Sequence, residues 1–207
     1  MLAVCHARDY LFGTTKSPQE SLEKAIDLAQ KAIAVDEGLA DGHALLGVFY
    51  SLKGEHDKAL AEGERAVILN PNSADSYRWY GSILTYAGRP EEAIPMIQKA
   101  IRLNPFASTF YYDNLGDALR NTGRFEEAVS AYKKALQLAP DNIIAHVSLA
   151  AVYSMNDREK DARAEVSEVL RIYPKFSLDD WTRKRPFFRD QSQNEKLVNS
   201  LRKAGLK

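Results

Sequence analysis

The chain has 207 residues, of which 45% are hydrophobic and 27% are charged, a composition typical of a folded protein and not of a disordered or fibrous one. Its 28 basic side chains balance its 28 acidic ones, so no global field favours nucleic acid or an anionic membrane. The single cysteine, Cys5, excludes an intrachain disulfide, and no stretch is apolar enough to span a membrane. We therefore expect a cytoplasmic protein that binds neither nucleic acid nor a membrane.

The first element predicted from the sequence is an apolar helix over residues 2–12, which begins directly after Met1. Because an array of helices needs a polar element at each end, an uncovered apolar helix there indicates one of two arrangements. Either the chain is a fragment of a longer array, or this helix pairs with a second copy in a homodimer. A second helix begins after Ser17, where Pro18 and Glu20 complete a helix-capping pattern.

From residue 40 onward the sequence repeats itself in four units, whose final prolines are 34, 35 and 34 residues apart. Each unit has apolar residues at helical spacing, then a break, then the same spacing again, which predicts two amphipathic helices. Glycines stand where the first helix of a unit should end, and alanines recur in the second helix. The prolines are Pro71, Pro105, Pro140 and Pro174, the glycines are Gly54, Gly88 and Gly123, and one alanine column is Ala59, Ala93, Ala128 and Ala162.

The order of these columns resembles the tetratricopeptide repeat (TPR) family, whose units of this length are helix-turn-helix pairs. The resemblance implies an all-α fold, a right-handed superhelix of about five helix pairs with a C-terminal capping helix. We expect the solenoid to cover residues 1–176, with a degenerate first unit over 6–39, and the capping helices to cover 177–207. The four regular units are 40–73, 74–107, 109–142 and 143–176.

A narrower similarity comes from the segments SPQESLEKAIDLAQKAIA, DGHALLGVFY, AGRPEEAI and SLRKAGL. Together they are similar to the TPR region C-terminal to the catalytic domain in bacterial adenylate/guanylate cyclase fusion proteins. This similarity implies a bacterial chain that regulates an attached or partner signalling enzyme, or a fragment of such a fusion.

In the TPR family, the face of each first helix that is not used for packing lines a concave groove, where protein or peptide partners bind. The resemblance therefore implies a protein–protein interaction scaffold whose groove takes an extended peptide or a helix. For the charged residues at the centre of the groove, the alternative is that they pair with one another across adjacent helices. The predicted groove residues are Asp41, Val48, Asp75, Arg78, Trp79, Ser82, Phe110, Asp113, Asn114, Asp117, Arg120 and Val147.

The sequence predicts no enzyme, no cofactor and no metal site. His43 and His146 occupy the same repeat position as two tyrosines, which indicates packing and not metal ligation. A glycine-rich phosphate loop and a nucleophile elbow are both missing from the sequence. We therefore expect a non-catalytic protein.

The last predicted elements are two short helices after Pro174, which we expect to cover the apolar end of the solenoid. Trp181, Phe187 and Phe188 are the predicted anchors of this cap. The same segment is basic, so contact with nucleic acid is the alternative interpretation of residues 183–189.

Overall fold

The computed structural model describes residues 18–183 and 188–207, and in that part of the chain it contains eleven α-helices and no β-strand. The all-α fold predicted from the sequence is thereby confirmed. The helices are α1 (Pro18–Val35), α2 (Ala40–Lys53), α3 (His56–Leu69), α4 (Ala74–Tyr86), α5 (Pro90–Leu103), α6 (Thr109–Asn121), α7 (Phe125–Leu138), α8 (Ile143–Met155), α9 (Glu159–Ile172), α10 (Leu178–Arg183) and α11 (Gln191–Ala204).

Helices α2 to α9 form four hairpins, each made of a first helix and a second helix. Each second helix except α9 also packs on the first helix of the following hairpin, so the hairpins stack in chain order. First helices of neighbouring hairpins pack on one another, α2 on α4, α4 on α6 and α6 on α8, whereas the described second helices do not approach one another as closely. The first helices therefore form the inner, concave wall of a curved stack, because helices on the inside of a curve lie closer together.

The turn between the two helices of a hairpin uses a left-handed backbone. Gly54, Gly88 and Gly123 provide it with φ of 81°, 83° and 77°, which confirms that the glycine column marks the end of each first helix. In the fourth hairpin Asp157 stands in the same column with φ of 53°. A side chain is disfavoured in this conformation because its Cβ crowds the backbone, so Asp157 holds strain that the other three turns avoid.

The apolar core runs along the stack and does not fill a single centre. One cluster joins α1, α2, α3 and Ile83 of α4, and a larger one runs from Leu84 in α4 to Leu201 and Leu206 near the C-terminus. Small residues let the two helices of a hairpin approach closely, since a Cβ added at Gly116 in α6 would lie 2.5 Å from the ring of Tyr132 in α7. The C-terminal residues thus belong to the same core as the hairpins.

Candidate functional site on the inner wall

The inner wall, formed by the first helices α2, α4, α6 and α8, holds all twelve residues that the sequence predicts to line a groove. We call the inner faces of α2, α4 and the start of α6 the open wall, and the end of α6 together with the inner face of α8 the covered wall. Seven of the predicted residues are accessible and five are buried. The accessible residues are Asp41, Val48, Asp75, Trp79, Ser82, Phe110 and Asn114, and the buried ones are Arg78, Asp113, Asp117, Arg120 and Val147.

The open wall is organised around Trp79 in α4. The guanidinium carbon of Arg78 lies 3.6 Å from the centre of the Trp79 ring, and the Arg78 Nε donates a hydrogen bond to Asp75 Oδ1 over 3.2 Å. Tyr111 of α6 donates its hydroxyl to the same oxygen over 3.0 Å. Arg78 is only 6% exposed, and this burial lowers the pKa of its guanidinium. Arg78 therefore orients Trp79 and Asp75, and these two side chains are accessible whereas Arg78 is not.

The aspartates and the arginine of α6 belong to a buried polar network. Asp117 and Arg120 pair over 3.2 Å within α6, and Tyr132 of α7 donates its hydroxyl to Asp117 over 2.8 Å. Asp113 accepts a hydrogen bond from Asn142 over 2.9 Å. Burial, followed by the charge of Asp117, raises the pKa of Tyr132 well above its usual value, so the phenol stays protonated and donates. Buried charges require such partners, and these contacts give the network a structural role.

The covered wall is closed by α11, which packs mainly on α8 and less on α9. In α11, Leu201 is fully buried and Leu197 is 7% exposed. Ser148 and Ala151 of α8 are also buried, whereas Val48, the equivalent of Ala151 in α2, is half-exposed. Val147, which the sequence places on the groove, lies in the same apolar cluster as Leu201. The covered wall therefore offers no open groove in this conformation.

Helix α11 packs on the last hairpin, as the sequence predicts for a capping helix, and most of this contact is with the first helix, α8. The physical reason lies in α8, where ten of the thirteen residues are buried and both faces are apolar. A helix that is apolar all round must be covered on every side, and α11 covers the surface of α8 that α6, α7 and α9 leave open. That all-round apolar pattern in IIAHVSLAAVYSM is the signal by which the sequence could have shown the contact.

The C-terminal segment, residues 188–207, is attached at its start to the middle of the stack. The ring of Phe188 lies 4.7 Å from the ring of Tyr86 at the end of α4, and Phe188 is 3% exposed. The backbone N–H of Arg189 donates to the carbonyl of Tyr86 over 2.8 Å, and its guanidinium pairs with Asp57 in α3. Phe188 is thus an anchor, and the segment that it anchors runs past the hairpin turns to reach α8. Trp181, the other described anchor, lies against Phe176, with ring centres 6.4 Å apart.

The C-terminal segment is attached at its other end to the last hairpin and to α10. Lys203 Nζ pairs with Asp157 over 2.9 Å, and this cation lowers the pKa of the Asp157 carboxyl. The backbone N–H of Leu178 donates to the carbonyl of Lys207 over 2.8 Å. The strained turn of the fourth hairpin therefore carries the carboxylate that holds α11, a contact that the sequence pattern does not show.

The histidines of the inner wall pair with glutamates on the second helices. His43 Nδ1 lies 2.6 Å from Glu62, and His146 Nδ1 lies 2.6 Å from Glu165. The other ring nitrogen of His146 lies 2.9 Å from the carbonyl of Pro140. The hydrogen bond to Glu165, opposed by burial, raises the pKa of His146. Each ring thus ties the two helices of its hairpin together.

Some predicted features lie outside the described residues. They are the apolar helix over 2–12 with its proposed homodimer, Cys5, and the segment 184–187 that contains Phe187. Within the described ranges, no helix has the length and apolarity needed to cross a membrane. No group of three or more His, Cys, Asp or Glu side chains in that part of the chain could hold a metal ion.

Comparison with known protein families finds a match in two parts of the chain. A model described as Tetratricopeptide repeat matches residues 74–106, and a model described as TPR repeat matches residues 116–157. The first match covers the hairpin of α4 and α5, and the second covers the end of α6, α7 and α8. No curated protein sequence matches the chain.

Solved structures with the same fold include MamA, which is 25% identical with a TM-score of 0.60, covering 77% of this chain and 93% of that chain. PilW, described as a widely conserved type IV pilus biogenesis factor, is 19% identical with a TM-score of 0.72 and covers 99% of this chain and 89% of its own. TTC0263, a thermophilic TPR protein of Thermus thermophilus, is 19% identical with a TM-score of 0.68, covering 94% of this chain and 98% of its own. These likenesses establish a helical-repeat solenoid.

Proposed function

Because this chain carries tetratricopeptide repeats, we propose that it is a non-catalytic scaffold whose open wall binds a segment of a partner protein. The observation that carries the proposal is the accessible set around Trp79, which lies on the concave side of the stack. A tryptophan is fixed there by a buried arginine, so its exposed face is held in place before any ligand arrives. Rigid aromatic side chains of this kind contribute strongly to binding because little conformational entropy is lost.

The chemistry of the open wall indicates which segments it would accept. Asp41 and Asp75 are exposed carboxylates on neighbouring first helices, and Trp79 and Phe110 supply aromatic surface beside them. A segment with a basic side chain and a large apolar side chain would meet both groups at once. The wall suits a short peptide or one face of a helix.

The sequence similarity to the TPR regions of cyclase fusion proteins supports a finer proposal for the partner. If the chain regulates a signalling enzyme, the bound segment belongs to that enzyme or to a protein that recruits it. The similarity is the support for this proposal, and the wall residues supply the means of binding.

Selection of peptides from a display library on the wild-type chain tests the proposed function. We expect selected peptides to lose affinity by at least about tenfold on the Trp79→Ala variant, because a central aromatic anchor is removed. The matched control is Gln98→Ala, on the exposed face of the second helix α5, which should bind as the wild type does. Fluorescence anisotropy measures both, and equal affinity for both variants would remove the open wall from the proposal.

A further inference from the structure

The helix that closes the covered wall has the pattern of a groove ligand. In α11, Leu197, Ser200, Leu201 and Ala204 recur at three- and four-residue spacing and are all buried, and the remaining positions are exposed or half-exposed. Laying one apolar face of an amphipathic helix into a groove is a common mode of peptide recognition. The chain therefore shows, with its own residues, what kind of helix the inner face of α8 accepts.

Two of the contacts near the ends of this helix are exposed ion pairs, which can be exchanged, whereas Phe188 and the backbone bond between Leu178 and Lys207 anchor the chain just outside α11. Arg189 pairs with Asp57 and Lys203 pairs with Asp157, and in both pairs the carboxylate is almost fully exposed, at 87% and 89%. Exposed ion pairs contribute little to stability and are screened by salt. The two pairs set the orientation of α11 and contribute little to the free energy that holds it on the stack. A basic helix from another protein could form the same pairs.

The fit between α11 and the stack is incomplete. A cleft remains between α11 and the turn from α6 to α7, lined by Asn121 and Phe125 on one side and by Lys196 and Leu197 on the other. The chain's own helix therefore leaves part of this surface unfilled, which a partner helix could contact.

We propose that α11 is an intramolecular ligand of the covered wall and that an amphipathic partner helix displaces it. The partner helix carries apolar residues four positions apart with small residues beside them, and basic side chains near its C-terminal end that reach Asp157. This inference rests on the proposed function, since it concerns the same inner wall, and it adds a regulated second half to the binding surface. Displacement would extend the groove from α4 to α8.

The first test uses a labelled peptide of residues 188–207 and the 207-residue chain. The wild-type chain should bind this peptide weakly, because its own α11 occupies the wall. A Leu201→Asp chain should bind it about tenfold more tightly or better, since apparent affinity rises with the fraction of open protein. The peptide with the same Leu201→Asp substitution should bind neither chain. A Glu195→Ala chain, changed on the exposed face of α11, is the matched control and should behave as the wild type does.

Hydrogen exchange of the unmodified chain gives a second test that no folding defect can obscure. We expect the amides of α11 to exchange through local opening, faster than those of α8. Exchange of both helices at one common rate, or equal peptide binding by the wild-type and Leu201→Asp chains, would overturn the inference. If peptides bind without depending on Trp79 but α11 can still be displaced, only the proposed function is contradicted. If peptide binding depends on Trp79 but α11 cannot be displaced, only this inference is contradicted.

Discussion

The open wall and the covered wall occupy the same repeat positions, and they differ in what packs on them. The column of Val48, Ser82, Asp117 and Ala151 is half-exposed on α2 and α4 and buried on α6 and α8. Because these four residues share one repeat position, all of them point to the inside of the curve. What differs is the surroundings, since α8, which carries Ala151, packs on α11, whereas Asp117 of α6 pairs with Tyr132 and Arg120.

The two walls also differ in the roles of their side chains. The open wall displays a fixed aromatic ring beside carboxylates, an arrangement suited to contact with a partner. The covered wall presents Val147 and Ala151 to a core that includes Leu201. Within one concave face built from repeats, one part can thus be suited to a partner while another part stabilises the fold.

The largest expected difference comes from removing one leucine side chain from α11, which closes the covered wall, and one from the open wall. Leu201→Ala takes a fully buried side chain from α11, and we expect a loss of about 2–5 kcal/mol in local or global stability. Leu45→Ala removes the same atoms from a half-exposed position on α2 and should cost about 1 kcal/mol. Urea unfolding and hydrogen exchange measure both variants. Equal costs would break the distinction between an open and a covered wall.

A smaller effect on the unfolding free energy is expected from pH, through His146 of α8. The pKa of His146 is raised in the folded chain, chiefly by Glu165, so its contribution to stability is complete below the unfolded histidine value of about 6.5. It is lost as the pH rises through the folded pKa. We expect the unfolding free energy of the wild type to fall across that window relative to a His146→Gln variant. Parallel pH profiles for the two proteins would contradict the role of this pair.

The smallest effect is expected at the turn of the fourth hairpin. Asp157→Gly removes the side chain from a left-handed position and also removes the partner of Lys203. We expect α8 and α9 to keep their stability, because the other three turns use glycine, and we expect the amides of α11 to exchange about two- to fivefold faster. Lys203→Ala loses the same pair without the backbone change and is the control. Slower exchange of α11 in Asp157→Gly would contradict this account.

Much of the fold could be predicted because its determinants are local. Helix ends follow from the glycines Gly54, Gly88 and Gly123, and the packing faces follow from alanine columns at a fixed spacing. The site could be predicted only in part. Trp79 and Asp75 are accessible as expected, whereas Asp117 and Arg120 form a buried pair, because the periodic pattern assigns a face and not the degree of burial.

The sequence by itself determined the hairpins, their order and the identity of the inner wall, since each depends on residues within a few helical turns of one another. The tertiary structure alone decided that Phe188 would meet Tyr86 and that Lys203 would meet Asp157. Such contacts join distant parts of the chain through complementary surfaces and leave no periodic trace in the sequence. For that reason the repeat pattern predicted a groove along the whole wall, and the folded chain keeps only the first half of it open.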